Sequence, residues 1–135
     1  MIKDYMIEIS KFIKQYYPKS LCYIDQIPQN FKGDSFLIEC LSYNIEENIH
    51  NIYDIALDFS LTFFSSTPSQ SSIIDVLMFL DLEFHHLLNE RIYDKEIVDV
   101  RQDQGTMTFS IHKRVRKIDI DHQMIIQHLN KIKGV

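Results

Sequence analysis

Apolar residues in the first sixteen positions fall at Ile2, Tyr5, Met6, Ile9, Phe12, Ile13 and Tyr16, with Lys3, Asp4, Glu8, Lys11 and Lys14 between them. Spacing by threes and fours puts them on one side of an amphipathic helix of about four turns, which Pro18 ends. From residue 53 to 63 the period changes to two. Tyr53, Ile55, Leu57, Phe59, Leu61 and Phe63 alternate with Asp54, Ala56, Asp58, Ser60 and Thr62. That alternation predicts a half-buried strand whose carboxylates lie on the face away from the core.

The remaining elements follow by the same reading. Residues 21–24 form a short strand, 26–33 a loop marked by Pro28 and Gly33, and 35–43 a strand with both faces partly covered. Residues 45–52 carry Glu46, Glu47, Asn48 and Asn51 and predict a protruding polar connection of hairpin type. The serine-rich stretch 65–72 is a linker, and Ser72 with Asp75 resembles a capping box. It opens a second amphipathic helix through Ile73, Val76, Leu77, Leu80, Phe84, Leu87 and Leu88 to about residue 90. Strands at 95–101 and 106–116 flank Asp103-Gln104-Gly105, a hairpin turn. After Lys117, Asp119 or Asp121 caps a last helix with Ile125, Leu129 and Ile132 on its apolar face. The order α-β-β-β-α-β-β-α predicts an α+β fold: a mainly antiparallel sheet of about five strands packed by helices. Residues 1–117 form the domain and 118–135 a C-terminal helical extension.

Composition narrows the class. A chain of 135 residues that is 45% hydrophobic and 24% charged has enough apolar residues for one real core, so disorder is not expected. Charge is sorted along it: residues 1–33 carry +2, 34–100 carry −11 and 101–135 carry +4, which together make the net −5. An acidic middle with basic ends has the charge logic of head-to-tail self-association. No apolar run approaches the roughly 20 residues that span a bilayer, and the charged N-terminus does not read as a signal peptide. The expectation is a cytosolic protein, or one packed into a particle made there. Cys22 and Cys40 have no metal-binding spacing and are expected as small buried thiols in strands, with a disulfide left open.

Reactive chemistry finds little support. His85 and His86 lie near Glu83 and Glu90, with His86 and Glu90 at helical spacing, but no third ligand or HExxH pattern accompanies them. His122 and His128 are six apart, a poor ligand spacing. Asp54 and Asp58 share a strand face roughly 13 Å apart, too far for a glycosidase pair, and read as a solvated acidic face or a partner surface. Glycine occurs only at positions 33, 105 and 134, which rules out phosphate and dinucleotide loops. Residues 112–117, His-Lys-Arg-Val-Arg-Lys, are the strongest local charge feature. Three readings stay open for them: a solvated strand end, contact with an acidic protein surface, and DNA, the last disfavoured because no aromatic is interleaved. Phe63 and Phe64 stand at an element end and are candidates to bury against a neighbour.

Three stretches together resemble a family of small tail terminator proteins from phages and phage-like contractile particles of Gram-positive bacteria. They are Phe31-Lys32-Gly33-Asp34-Ser35-Phe36-Leu37-Ile38, the alternating run from Ile55 to Phe64, and Asp103-Gln104-Gly105-Thr106-Met107-Thr108-Phe109. The likeness covers about residues 1–115; it departs from the family pattern at Gln104 and in the basic segment and helix after Val115. It implies a structural role without catalysis or cofactor: a hexameric ring that caps the tail tube, ends its polymerisation, and offers a surface to the sheath or head connector. Its partners would be further copies of itself and the tail tube protein, assembled in a host bacterial cytoplasm, with no membrane and no expected DNA contact. Candidate subunit-interface residues are Glu46, Glu47, Asp54, Asp58, Phe63, Phe64, Lys113, Arg114, Arg116, Lys117, Ile125 and Leu129. The competing reading is a small acidic partner-binding protein, such as an immunity or toxin-neutralising module.

Overall fold

A computed structural model describes residues 1–117. The elements are α1 (Ile2–Tyr16), β1 (Cys22–Ile24), β2 (Ser35–Ile49), β3 (Ile52–Phe64), α2 (Gln70–Glu83), β4 (His86–Leu87), β5 (Glu90–Val100) and β6 (Gln104–Arg116). The strands form one sheet in the order β1-β2-β3-β6-β5-β4. Every neighbouring pair is antiparallel except β1 with β2. The fold is therefore α+β, with a sixth, two-residue strand and one parallel pair beyond what the pattern predicts. The predicted last helix, with Ile125 and Leu129, lies outside the described residues.

Alternation in β3 does what its period requires. Ile55, Leu57, Phe59, Leu61 and Phe63 are buried, facing Met107, Phe109 and Ile111 of β6 and the inward residues of both helices. From α1 come Tyr5, Met6, Ile9 and Ile13, and from α2 come Ile73, Leu77 and Leu80. A run of ring contacts ties the layers together: Phe12–Phe84 at 4.5 Å, Phe84–Phe109 at 5.2 Å, Phe109–Phe59 at 5.8 Å and Phe59–Tyr5 at 6.2 Å. Burying each such side chain contributes about 1.5–3 kcal/mol.

Four local predictions are corrected. The second helix stops at Glu83 rather than near residue 90, because Phe84 turns extended and Leu88 and Asn89 take positive φ to start a β4–β5 hairpin. Lys95 secures that end, its Nζ donating to the carbonyls of Asp81 at 2.5 Å and Phe84 at 3.0 Å. The helix is capped by Ser69, not Ser72: the Ser69 hydroxyl accepts from the Ser72 N–H at 3.3 Å. Residues 45–52 are not a polar loop. Strands β2 and β3 stay paired to Ile49↔Ile52, leaving only His50 and Asn51 in the turn, with Asn51 at φ 65°. Gly105 is not a turn residue but a β6 position paired with Phe63 and Val100. A Cβ there would stand 2.5 Å from Ile73 Cγ2 and 2.9 Å from Leu77 Cδ1, so its absence lets α2 settle onto the sheet. Cys22 and Cys40 are free, half-buried thiols in β1 and β2, with burial raising both pKa values.

The sheet margins are only partly covered. β1 pairs with β2 at residues 36–38 alone, and β4 with β5 at 90–91 alone. Beyond these points each outer edge pairs with no further strand among the described residues, although Ile92 N–H donates to His85 O at 2.9 Å and Gln70 Nε2 to Val100 O at 3.5 Å, and each strand carries two bulges. Past Cys40, β2 and its partner β3 run on as an arm. Tyr43 and Ile45 are 69% and 47% exposed, although their cross-strand partners Leu57 and Ile55 on the same face are 2% and 4% exposed.

Candidate interaction surface

Strand register assembles the polar face of the sheet. Asp54 stands between Glu46 of β2 and Arg114 of β6, Ala56 between Asn44 and His112, and Asp58 between Ser42 and Ser110. Opposed residues share a face, so these three rows line one surface. Further down, Thr62 and Thr106 are hydrogen-bonded at 2.9 Å. At the arm end the surface opens into a concavity of about 820 Å³ whose lining includes Asn44, Glu46, Asp54, Tyr93, His112 and Arg114.

Two carboxylates of the concavity have partners within the chain. Arg114 Nε donates to Asp54 Oδ1 at 3.0 Å, and Asn44 Nδ2 donates to Glu46 Oε1 at 3.2 Å. The His112 ring meets Tyr93 edge-on at 5.0 Å. Asp58 is satisfied on both oxygens, by Ser110 Oγ at 2.5 Å and Ser42 Oγ at 2.6 Å. Those two hydroxyl donors, Ser110 first, hold its carboxyl below the usual range.

The predicted interface residues do not form one patch. Glu46, Asp54, Lys113 and Arg114 all line the concavity, and Asp58 lies one row below. Glu47 points to the opposite face, where it accepts from the Tyr53 hydroxyl at 3.1 Å. The basic run is split by the strand period, with His112, Arg114 and Arg116 on the polar face and Lys113 on the helix side. There Lys113 Nζ sits 5.9 Å above the Tyr5 ring. The Tyr5 hydroxyl is buried without a hydrogen-bond partner among the described residues, and its pKa is pushed up to about 12, first by burial and then by the Glu90 and Asp4 carboxylates. Lys117 closes the turn by donating its N–H to Asn51 O at 2.8 Å.

Phe63 is a core residue, packed on Phe36 at 4.9 Å. Phe64 lies half-buried at the far end of the sheet against Phe31, also at 4.9 Å. Nearby, Asp34 accepts from the Ser66 N–H and hydroxyl at 3.2 and 2.8 Å, tying the 31–34 loop to the linker. The supposed His86–Glu90 helical pair does not exist, since His86 lies in β4 opposite Arg91 and Glu90 opens β5. Among the described residues no group of three His, Cys, Asp or Glu stands close enough to hold a metal ion. No described helix is long and apolar enough to cross a membrane. Asn44 and Tyr93 are not singled out by the sequence; only cross-strand register brings them to the site.

Among curated proteins none matches the sequence. One solved structure aligns distantly, with 13% identity over 82% of this chain and 89% of its own and a TM-score of 0.40. The phage tail terminator protein family, in contrast, matches residues 4–125. That match runs beyond residue 115 and through the basic segment, so it takes in nearly all of the described fold together with every residue of the arm and the concavity: the chain belongs to the phage tail terminator family.

Proposed function

We propose that the chain is the subunit of a hexameric ring seated on the last ring of tail tube protein. The ring stops further tube subunits from adding and leaves an outer surface for the sheath of a contractile particle or for the head connector. The reading is carried by the family match over residues 4–125. The arm end of the sheet, with Glu46, Glu47, Asp54, Lys113, Arg114, Arg116 and Lys117, is the contact surface we assign to it, together with Ile125 and Leu129 in the C-terminal extension. The subunit works by binding alone, inside the host bacterium where the tail is built and then in the finished particle.

The test is polymerisation of purified tail tube protein with and without this chain, with tube lengths and ends inspected by electron microscopy. Shorter tubes capped at one end are expected. Unchanged lengths with bare ends overturn the proposal.

A further inference from the structure

Among the described residues two apolar surfaces are left open, on different parts of the fold. One is the β2–β3 arm, where Tyr43 and Ile45 continue the core face past its cover and Leu41 and Ile49 are exposed beside them. The other is the seam between the helices, where Tyr16 of α1 meets Phe79 of α2 edge-on at 5.1 Å. Around the seam Met78 and Leu82 are 50% and 67% exposed. Helix α2 thus carries large apolar residues both inward and outward, the composition of a helix covered on more than one side in its working state.

Charge selects among the ways two copies can meet. Pairing β2 edge to β2 edge sets Glu46 and Glu47 against themselves. Pairing it to the outer edge of β5 sets them against Asp94, Glu96 and Asp99, and the bulges of both strands disrupt the ladder. Helix α1 offers the opposite sign. Lys3, Lys11 and Lys14 fall on its outer side by helical spacing, while its two acids are taken, Asp4 by the N-terminal ammonium at 3.6 Å and Glu8 by Lys11 at 3.1 Å. Glu39, Glu46 and Glu47 have no cationic partner among the described residues.

We propose that the arm of one copy lies across the helical layer of the next, Tyr43 and Ile45 covering Phe79 and Leu82 while Glu47, on the same face of the arm as Tyr43 and Ile45, meets Lys14. The contact is heterologous, one surface against a different one, and so propagates around a closed ring. It rests on the ring reading above and names the surfaces that close it.

The experiment measures self-association by sedimentation and native mass spectrometry, alone and with tail tube protein added. The variants are Tyr43→Ser with Ile45→Thr, Glu47→Lys, Lys14→Glu, and the last two combined. Each of the first three is expected to weaken association at least about tenfold, the scale of losing an interface anchor or its charge match, and the combined charge swap to recover it. Thermal melts confirm that these surface changes leave the fold intact. Wild-type rings with undisturbed arm variants, or no recovery in the combined variant, overturn the arm contact and leave the ring standing. Arm variants that lose only tube binding assign the arm to the tube and also overturn it. A wild-type chain monomeric even with tube protein overturns the ring itself.

Discussion

Replacing Gly105 by alanine adds one methyl group at the tightest point between α2 and the sheet. The new Cβ would lie 2.5 Å from Ile73 Cγ2 and 2.9 Å from Leu77 Cδ1, where carbon atoms rest at about 3.5–4.0 Å. Ile73 is β-branched and fully buried, so it cannot rotate the methyl away at low cost, and α2 must lift by roughly 1 Å. Overpacking of this kind costs about 1–3 kcal/mol. Alanine recovers about 0.4–1 kcal/mol by restricting the unfolded chain. Gly105→Ala should therefore destabilise by roughly 1–2 kcal/mol, a melting point about 3–7 °C lower for a chain of this length. Urea unfolding followed by far-ultraviolet circular dichroism reads the change directly. Ile73→Ala supplies the control: it costs about 2–5 kcal/mol alone but removes the colliding methyl, so Gly105→Ala should cost at least about 1 kcal/mol less in that background. Equal penalties in both backgrounds, or a Gly105→Ala protein as stable as the parent, would refute the close-approach argument.

Three further outcomes are expected. Lys95→Met removes both charge-assisted bonds to the end of α2 and should cost about 1.5–3 kcal/mol, with faster amide exchange in the last turn of that helix; unchanged exchange contradicts the cap. Asp58→Asn should cost about 1 kcal/mol, given its partial exposure. Because the folded carboxyl is depressed, that difference should be full above the ordinary value of about 3.9 and vanish as pH falls through the folded pKa, which urea titrations across acid pH will show. A double-mutant cycle on Asp54 and Arg114 should give a coupling of only about 0.2–1 kcal/mol, since both side chains are largely in water; a larger value means the concavity is drier than its exposure indicates.

The strongest periodic signals were read correctly, and the failures have physical causes. Helix α1 and strand β3 each repeat one period long enough to exclude the other. Past Glu83 that test loses force, because Phe84, Leu87 and Leu88 keep helical spacing while the chain has already turned. The one local sign of the turn is Asn89, a residue that tolerates the left-handed region. In the sequence Gly105 reads as a turn residue because glycine's other use, close approach of a helix, depends on where Ile73 lands. Charge was the most misleading guide. Acids near residue 54 and bases near 114 look segregated along the chain, yet β3 and β6 are neighbours, so Asp54 and Arg114 form a pair and the basic run divides between two faces. A run of like charges becomes a patch only if strand order keeps it one, and strand order was the part no local pattern carried. The concavity is a product of that order.

The bulged, acid-bearing margins of β2 and β5 bear on a hazard peculiar to this family. A protein that halts the growth of a polymer waits in solution at risk of becoming one, since an open row of backbone donors and acceptors invites accretion strand by strand. Kinks and like charges on both margins deny that route. What remains is contact through side chains, and whether such contacts close or run on is set by the rotation between copies.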